Sequence, residues 1–430
     1  MKRRLMDELI RWKKSPHRKP LILKGVRQCG KTYLLKAFAA QEYDNAVYLN
    51  LERNPDYASL FEKDFDVDRI ITEMGVLTKT RIEKEKTLVI LDEIQACQKA
   101  ITALKYFCEE APEYHIAAAG SLIGISLAKP GAYPVGKVDV KRLYPMSFVE
   151  YLWAAGEEKL VKYSEQSDLK EMSQAIHNQL SQYYHYYLMT GGMPEVVDAW
   201  VRHHDIGQVD DMLLNLLDLY QLDFAKHAPP RDFQKISQIW EAIPQQLAKE
   251  NQRFIFGQVK EGARGKDLED ALTWLVDAGM VYQVSKVEKP FIPLRAYAKQ
   301  NLFKVYACDI GLLRRLARVE ADLMISGNDQ YTEFKGAMAE NFVLQQLLFM
   351  GVDLPYYWSS GNLAEVDFVV QLQGLPTPIE VKAGKTIRSK SLVSYMDKYK
   401  PAKAYRFSSA PRENKGAIID LPLYLVWTIG

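Results

Sequence analysis

The segment that most constrains this fold is GVRQCGKT at residues 25–32, which matches the pattern G-x-x-x-x-G-K-[ST] in full. It follows a short apolar run at 21–24 and precedes a helix-forming stretch at 31–40. In a loop of this kind, backbone N–H groups turn inward around phosphate oxygens, and the start of the helix adds its positive dipole end. The sequence therefore predicts a nucleotide-phosphate loop between a strand and a helix.

Individual residues of this loop can be given roles in binding ATP. Lys31 is expected to neutralise the β- and γ-phosphates, and Thr32 is expected to hold Mg²⁺. The residues expected to contact the cofactor are Gly25, Val26, Arg27, Gln28, Cys29, Gly30, Lys31, Thr32 and Tyr33. Because Cys29 lies inside this run, we expect alkylation of its thiol to block ATP binding by bulk.

Two later apolar runs end in polar residues that could complete an ATPase site. The run at 88–91 leads into Asp92, which would bind Mg²⁺, and Glu93, which would activate the attacking water. The run HIAAAGS ends at Ser121, which would lie beside Glu93 and sense the γ-phosphate if its strand neighbours that of the phosphate loop. Two plain alternatives stay open, namely an acidic strand end that faces solvent and a serine that only caps a loop.

The order of apolar runs and helical stretches predicts an α/β protein of four segments. Residues 1–150 alternate strands and helices, which is typical of a parallel sheet. Residues 151–230 look helical, and residues 231–325 show three helices followed by a β-hairpin, which is the winged-helix order. Residues 326–430 begin with a predicted helix at 333–350 and end in an α/β unit. Its predicted strands are 365–372, 378–382, 404–408 and 424–428.

Charge and composition limit the partners that this chain can have. Residues 380–415 contain ten Lys or Arg and three acidic residues, so they could bind nucleic acid, although a solvated basic face explains them equally well. The third helix of the winged-helix pattern is acidic instead, which favours packing or protein contact over reading a DNA groove. No apolar run approaches a membrane span, and the four cysteines lack metal or redox spacing. The sequence thus predicts a cytoplasmic protein without a membrane partner.

A second candidate site lies in the last hundred residues. Glu380 and Lys382 are two residues apart on one predicted strand, so their side chains share a face. A hairpin could bring Asp367 beside them, and the two carboxylates could then hold Mg²⁺ that polarises a phosphate oxygen. Lys382 could position the water or stabilise developing charge, and Glu340 and Glu365 could add to the site. The plain alternative is a buried ion pair between Lys382 and one carboxylate.

Taken together, these motifs resemble a family of bacterial and archaeal AAA+ ATPases whose C-terminal domain is similar to PD-(D/E)xK nucleases. The resemblance implies an AAA+ core, ATP and Mg²⁺ as cofactors, and a C-terminal restriction-endonuclease-like α/β domain. Family members often have Gly-Arg where this chain has Gly136 and Lys137, so an arginine-finger role would fall to Lys137, to Arg142 or to no residue. The segments that carry the resemblance are the phosphate loop, DEIQ at 92–95, AGS at 119–121, PMSFVEYL at 145–152, YLMTGGMPEVV at 187–197, VYACDIGLL at 305–313, KGAMAENFV at 335–343, AEVDFVV at 364–370 and IEVKAG at 379–384.

Three functions are compatible with these motifs. The first is an ATP-driven machine whose last domain cuts or grips nucleic acid. The second is a nucleotide-dependent signalling switch whose last domain is a non-catalytic protein-interaction module. A small-molecule kinase is less favoured, because a kinase would not need Glu93 to activate water. AAA+ sites often lie between subunits, so a homo-oligomer is also expected.

Overall fold

The chain folds into two compact units, which are Met1–Pro145 with Asp277–Met280, and Met146–Val276 with Val281–Gly430. Within the described part of the chain, no helix is long and apolar enough to span a membrane. The computed structural model describes residues 1–121, 134–166, 172–249, 252–262, 264–326, 332–361, 363–384, 389–411 and 413–429.

The first unit is built on a five-stranded parallel sheet, as the alternation of apolar runs and helices predicts. Its strands lie in the order β2-β3-β4-β1-β5. They are β1 (Leu21–Lys24), β2 (Asn45–Asn50), β3 (Thr87–Asp92), β4 (His115–Gly120) and β5 (Asp139–Arg142). The helices are α1 (Leu5–Lys14), α2 (Lys31–Glu42), α3 (Val67–Thr78) and α4 (Gln98–Glu110). Every residue of β3 and β4 is buried, which is why both strands read as continuous apolar runs.

The second unit begins with a helical region, as predicted. Ser147 and Glu150 form a capping box at its start, each side chain accepting a hydrogen bond from the other residue's backbone N–H. The helices are α5 (Phe148–Ala154), α6 (Glu158–Ser164), α7 (Gln174–Thr190), α8 (Pro194–His203), α9 (Ile206–His227), α10 (Phe233–Leu247) and α11 (Gly265–Asp277). Gly191 is the C-cap of α7, and Pro194 is the first residue of α8.

Asp309 joins two of the quoted sequence motifs inside this unit. It begins α12 (Ile310–Leu316), and its fully buried carboxylate accepts hydrogen bonds from Leu312 N at 3.1 Å and Gly192 N at 2.7 Å. A Cβ atom added to Gly191 would lie 2.1 Å from Asp309 Oδ1. The missing side chain of Gly191 therefore allows this carboxylate to reach the backbone of the turn.

The rest of the second unit forms one eight-stranded mixed sheet in the order β12-β13-β11-β10-β9-β8-β6-β7. The predicted hairpin, β6 and β7, is continuous with the last strands because β6 pairs with β8. The strands are β6 (Val281–Val287), β7 (Ala298–Ala307), β8 (Tyr356–Ser359), β9 (Glu365–Leu372), β10 (Leu375–Val381), β11 (Ala404–Ser408), β12 (Glu413–Lys415) and β13 (Ile418–Pro422). The remaining helices are α13 (Ala321–Ser326), α14 (Thr332–Phe349) and α15 (Lys390–Tyr399).

The strand predicted at 424–428 is wrong. Leu423–Thr428 form a 3-10 helix with local hydrogen bonds, such as the one from Trp427 Nε1 to Tyr424 O at 2.8 Å. Five of its residues are buried, and a short run that is apolar on every side has no periodicity to separate a strand from a helix. The last strand of the sheet is Ile418–Pro422 instead.

Candidate functional sites

The phosphate loop connects β1 to α2 at the edge of the first sheet where the parallel strands end. Gly30 has a φ of 94°, in the left-handed region that favours glycine, and Gln28 has a φ of 63°. A Cβ atom on Gly25 would lie 2.2 Å from Leu143 O, so the chain after β5 passes too close for any other residue. The two motif glycines are therefore required by backbone geometry and by packing.

Lys31 spans this loop from the first turn of α2. Its ammonium donates to the carbonyl oxygens of Gly25 and Val26, both at 2.9 Å, and only 6% of the residue is exposed. The positive charge is thus held against the loop itself. A phosphate oxygen that enters the loop can accept hydrogen bonds from the same ammonium group.

Asp92 receives two hydroxyl hydrogen bonds at the end of β3. Thr32 Oγ1 donates to Asp92 Oδ2 at 2.8 Å, and Tyr48 Oη donates to the same oxygen at 2.7 Å. Burial, together with the hydrogen bond to Asp92, raises the pKa of Tyr48 to about 12, so its hydroxyl remains a donor. A carboxylate and a hydroxyl in contact are oxygen ligands of the kind that Mg²⁺ prefers, so these residues fit the predicted ion.

Glu93 has a strained backbone directly after Asp92. Its φ of 49° and ψ of 44° lie in the left-handed region, which is uncommon for a residue with a side chain. Gln95 Nε2 donates to Glu93 Oε2 at 2.6 Å, so the carboxylate has a fixed partner. Sequence reasoning assigned no role to Gln95 or to Tyr48. Gln95 belongs to the quoted DEIQ segment, whereas Tyr48 could be found only from the pairing of β2 with β3.

Ser121 follows β4, which lies between β3 and the strand of the phosphate loop. The strand order on which its proposed sensing role depends is therefore present. The serine is 9% exposed, which places it within the body of the first unit. Its role as a γ-phosphate sensor stays a prediction.

Cys29 is placed differently from the expectation. Its side chain is completely buried, and Sγ lies 3.5 Å from Leu143 O, against the chain that follows β5. Its carbonyl oxygen accepts a hydrogen bond from Arg3 Nη1 at 2.9 Å. A reagent in solution cannot reach this thiol in the folded unit, so the predicted block of ATP binding by alkylation is not supported.

The two candidates for an arginine-finger role lie at opposite ends of β5. Lys137 precedes the strand and forms an ion pair with Glu109 at 2.8 Å. Arg142 ends the strand and is the register partner of Lys24, the last residue before the phosphate loop. Within one chain, Arg142 is therefore the candidate at the sheet edge that carries the loop.

In the second unit, antiparallel β9 and β10 bring the predicted acidic residues to one face. The pairing of the two strands ends with Phe368 opposite Ile379, so Asp367 and Glu380 each lie one residue beyond the last pair. Asp367 Oδ2 accepts a hydrogen bond from Val381 N at 2.7 Å, and Lys382 Nζ lies 2.6 Å from Glu380 Oε1. The hairpin and the ion pair that the sequence suggests are both present in the structure.

Lys304 of β7 lies beside these residues, and sequence reasoning missed it. Together with Lys304 and Lys382, the acidic residues Glu340, Glu365, Asp367 and Glu380 form what we call the carboxylate cluster. Lys304 is completely buried, with Nζ 2.6 Å from Glu365 Oε1 and 3.5 Å from Glu340 Oε2. Tyr306 Oη donates to Glu340 Oε2 at 2.9 Å, and Gln252 Nε2 donates to Glu340 Oε1 at 2.8 Å. The available signal was a lysine within the apolar run of β7, whose residues from 303 onward are all buried.

The cluster is rich in negative charge. Burial, followed by the charges of Glu340 and Glu380, raises the pKa of Asp367 well above its usual range. Burial would lower the pKa of Lys304, but Glu340, Tyr306 and Glu365 hold it well above the ordinary value, so it stays an ammonium. Both the raised carboxyl pKa and the retained ammonium indicate a site that attracts positive charge.

One buried carboxylate oxygen in the cluster has no hydrogen-bond partner among the described residues. Glu380 is 2% exposed, and among the described residues no hydrogen-bond partner reaches its Oε2. Within the same part of the chain, no group of three or more His, Cys, Asp or Glu side chains is arranged to hold a metal ion. A cation at this site would thus be held by the two opposed carboxylates, Asp367 and Glu380, and the unpartnered oxygen fits such a cation.

Comparisons with known protein families divide the chain into three matched regions. Residues 17–152 match the AAA domain, residues 181–323 match a domain of unknown function (DUF8612), and residues 335–423 match another domain of unknown function (DUF4143). An AAA domain implies ATP binding. The segment 17–152 is therefore similar to AAA domains, and the two other matched regions have an unknown function.

Similar proteins have also been found by sequence and by structure. Uncharacterized proteins of Mycobacterium tuberculosis and Mycobacterium bovis are each 38% identical over 118 residues, or 27% of this chain. The match spans 24% of the length of these curated relatives. A Walker-type ATPase of Pyrococcus abyssi has a TM-score of 0.45 at 14% identity, covering 73% of this chain and 95% of that one.

Proposed function

We propose that this protein hydrolyses ATP with Mg²⁺ and couples hydrolysis to a C-terminal nuclease-like domain that binds or cuts nucleic acid. The observation that carries the first part is the hydrogen bond between Thr32 and Asp92 beside Lys31. These three side chains come from the phosphate loop and the end of β3, and together they supply an ammonium, a hydroxyl and a carboxylate. ATP bound with Mg²⁺ needs all three groups.

At the ATP site, each residue has a separate task. Lys31 binds the β- and γ-phosphates, while Thr32 and Asp92 would hold the Mg²⁺, which when bound neutralises charge on the phosphate oxygens. Glu93 accepts a hydrogen bond from the attacking water and takes up its proton. Gln95 holds the Glu93 carboxylate, and Ser121 senses the γ-phosphate from the neighbouring strand.

At the second site, the chemistry proposed is phosphodiester cleavage by an activated water. Asp367 and Glu380 would hold a divalent ion, which polarises a phosphate oxygen and lowers the pKa of a bound water. Lys382 binds the developing negative charge from its position next to Glu380. The winged-helix-like fold of residues 231–325 and the restriction-endonuclease-like fold of residues 326–430 are part of this proposal, as is a homo-oligomeric assembly. Basic residues in 380–415 support contact with the nucleic-acid backbone.

The proposal is tested by incubating the full chain with single- and double-stranded DNA and RNA, in Mg²⁺ or Mn²⁺, beside Asp367→Ala. We expect cleavage by the native protein and loss of cleavage in the variant. The basal ATPase rate of the variant should be close to that of the native protein. Asp353→Ala is the matched control, because this aspartate is exposed and lies outside both the carboxylate cluster and the basic segment. Absence of cleavage, of salt-dependent binding and of any change in ATPase rate would reject the nucleic-acid part.

A second candidate is a nucleotide-dependent switch with a non-catalytic C-terminal domain. The observation that favours it is α11, which carries Asp267, Glu269 and Asp270 in its first half. Such a surface repels phosphate and suits a basic protein partner. Very slow ATP turnover with tight retention of nucleotide would support the switch, whereas turnover stimulated by nucleic acid would count against it.

A further inference from the structure

Lys304 supplies a permanent positive charge to the carboxylate cluster of the second unit. It lies on β7, within residues 281–307 of the hairpin and not in the segment that contains Asp367 and Glu380. Its Nζ contacts both Glu340 and Glu365, and no part of the residue is exposed. An ammonium group so placed cannot leave the cluster without breaking two ion pairs in which the lysine is completely buried.

The charges of the cluster match one divalent ion. With all four carboxylates ionised, as a bound cation favours, Glu340, Glu365, Asp367 and Glu380 supply four negative charges, and Lys304 with Lys382 supplies two positive charges. The remainder is two negative charges. Lys304 is in contact with Glu340 and Glu365, whereas Glu380 keeps a buried oxygen without a partner among the described residues.

We propose that Lys304 is a positioning residue that acts as an internal cation, occupying Glu340 and Glu365 so that the site accepts one divalent ion at Asp367 and Glu380 rather than two. This inference rests on the metal site of the proposed function. It makes the hairpin before the C-terminal segment a part of that site. The number of bound ions and their affinity, and not only activity, then depend on a residue outside the D-x₁₂-E-x-K pattern formed by Asp367, Glu380 and Lys382.

The test is a Mn²⁺ titration of the nucleotide-free full chain, with free Mn²⁺ followed by its paramagnetic resonance signal. The ions bound at this site are those that the native chain binds and Asp367→Asn does not bind. Taking this difference removes the ions that bind at the ATP site. We expect one such ion in the native protein. In Lys304→Met, with one positive charge fewer and two carboxylates released, we expect a second ion or binding tighter by at least about tenfold.

Two further variants separate charge from shape. Lys304→Arg keeps the positive charge and should restore the native number and affinity. The double variant Lys304→Met with Glu365→Gln removes one charge of each sign, so it should bind one ion as the native protein does. Thermal unfolding of each variant shows whether it is folded.

The outcomes distinguish this inference from the proposed function. If Asp367→Asn loses no ion from the native chain, the metal site itself is refuted. If the native chain loses two ions, or if folded Lys304→Met matches it in number and affinity, then only the role of Lys304 is overturned. Where Lys304→Met does not fold, a loss of two ions from the native chain would still overturn the role of Lys304.

Discussion

At the scale of the residue, Glu93 combines a strained backbone with a fixed carboxylate. A left-handed conformation in a residue other than glycine costs about 1 kcal/mol or more, and it persists because the surrounding structure holds it. Gln95, two residues later in the chain, donates a hydrogen bond from Nε2 to Glu93 Oε2 at 2.6 Å and so holds the carboxylate in place. The strain therefore sits at the one residue of the ATP site that is assigned to water activation.

Replacing Glu93 tests that assignment directly. We expect Glu93→Gln to keep ATP affinity, because the change preserves shape, and to lower the hydrolysis rate by about 10²-fold or more, because the base is lost. Nucleotide affinity by equilibrium titration and phosphate release give the two numbers. Glu73→Gln, an exposed helix residue of the same unit, is the matched control. Normal turnover by Glu93→Gln would show that another group activates the water.

At the scale of the element, the contact between Asp309 and the turn after α7 should dominate local stability. Gly191 has a φ of 69°, and its added Cβ would lie 2.1 Å from Asp309 Oδ1, so Gly191→Ala is both strained and overpacked. We expect a loss of about 3 kcal/mol in the free energy of unfolding. Gly336→Ala, where the new Cβ meets nothing within 4 Å in helix α14, is the control and should be neutral or slightly stabilising. Equal denaturation midpoints for both variants would contradict this.

The same carboxylate predicts a dependence of stability on pH. Burial raises the pKa of Asp309 from 3.8 to about 6 in the folded protein, despite hydrogen bonds from backbone N–H groups that oppose the shift. The folded state therefore binds this proton more tightly than the unfolded state does. Its contribution to the free energy of unfolding is full below about pH 4 and is lost as the pH rises through about 6, a change of ~3 kcal/mol.

Denaturant titrations between pH 4 and 7 measure this contribution. Because other groups titrate in the same range, the quantity of interest is the difference between the native protein and Asp309→Asn. As the pH rises, the free energy of unfolding of the native protein should fall relative to that of Asp309→Asn. A difference that is independent of pH would show that Asp309 titrates at its ordinary value.

At the scale of the whole molecule, the eight-stranded sheet joins segments that the sequence separates. The hairpin of β6 and β7 belongs to the predicted winged-helix segment, yet it extends the sheet of the last segment through the pairing of Lys286 with Tyr357. We expect β7 and β9 to open with similar free energies, because the completely buried Lys304 on β7 forms an ion pair with Glu365 on β9. Hydrogen exchange followed by mass spectrometry tests this. Exchange in β7 that is many times faster than in β9 would mean that the hairpin unfolds by itself.

The sequence by itself determined the phosphate loop, the acidic end of β3 and the D-x₁₂-E-x-K hairpin. Each depends on residues close together in the chain, and the local geometry of a loop or a strand then places their side chains. Apolar runs likewise located the strands of the first sheet. The strand predicted at 424–428 is wrong because the pattern of such a short apolar run does not separate a buried strand from a helix.

Only the tertiary structure decided which distant residues complete the two sites. Tyr48 reaches Asp92 because β2 lies beside β3, and Lys304 reaches Glu365 because β7 and β9 belong to one sheet. Cys29 turned out to be buried because the chain after β5 packs against the loop. Strand order and packing depend on the balance of many weak contacts over the whole unit, which no local pattern of residues records.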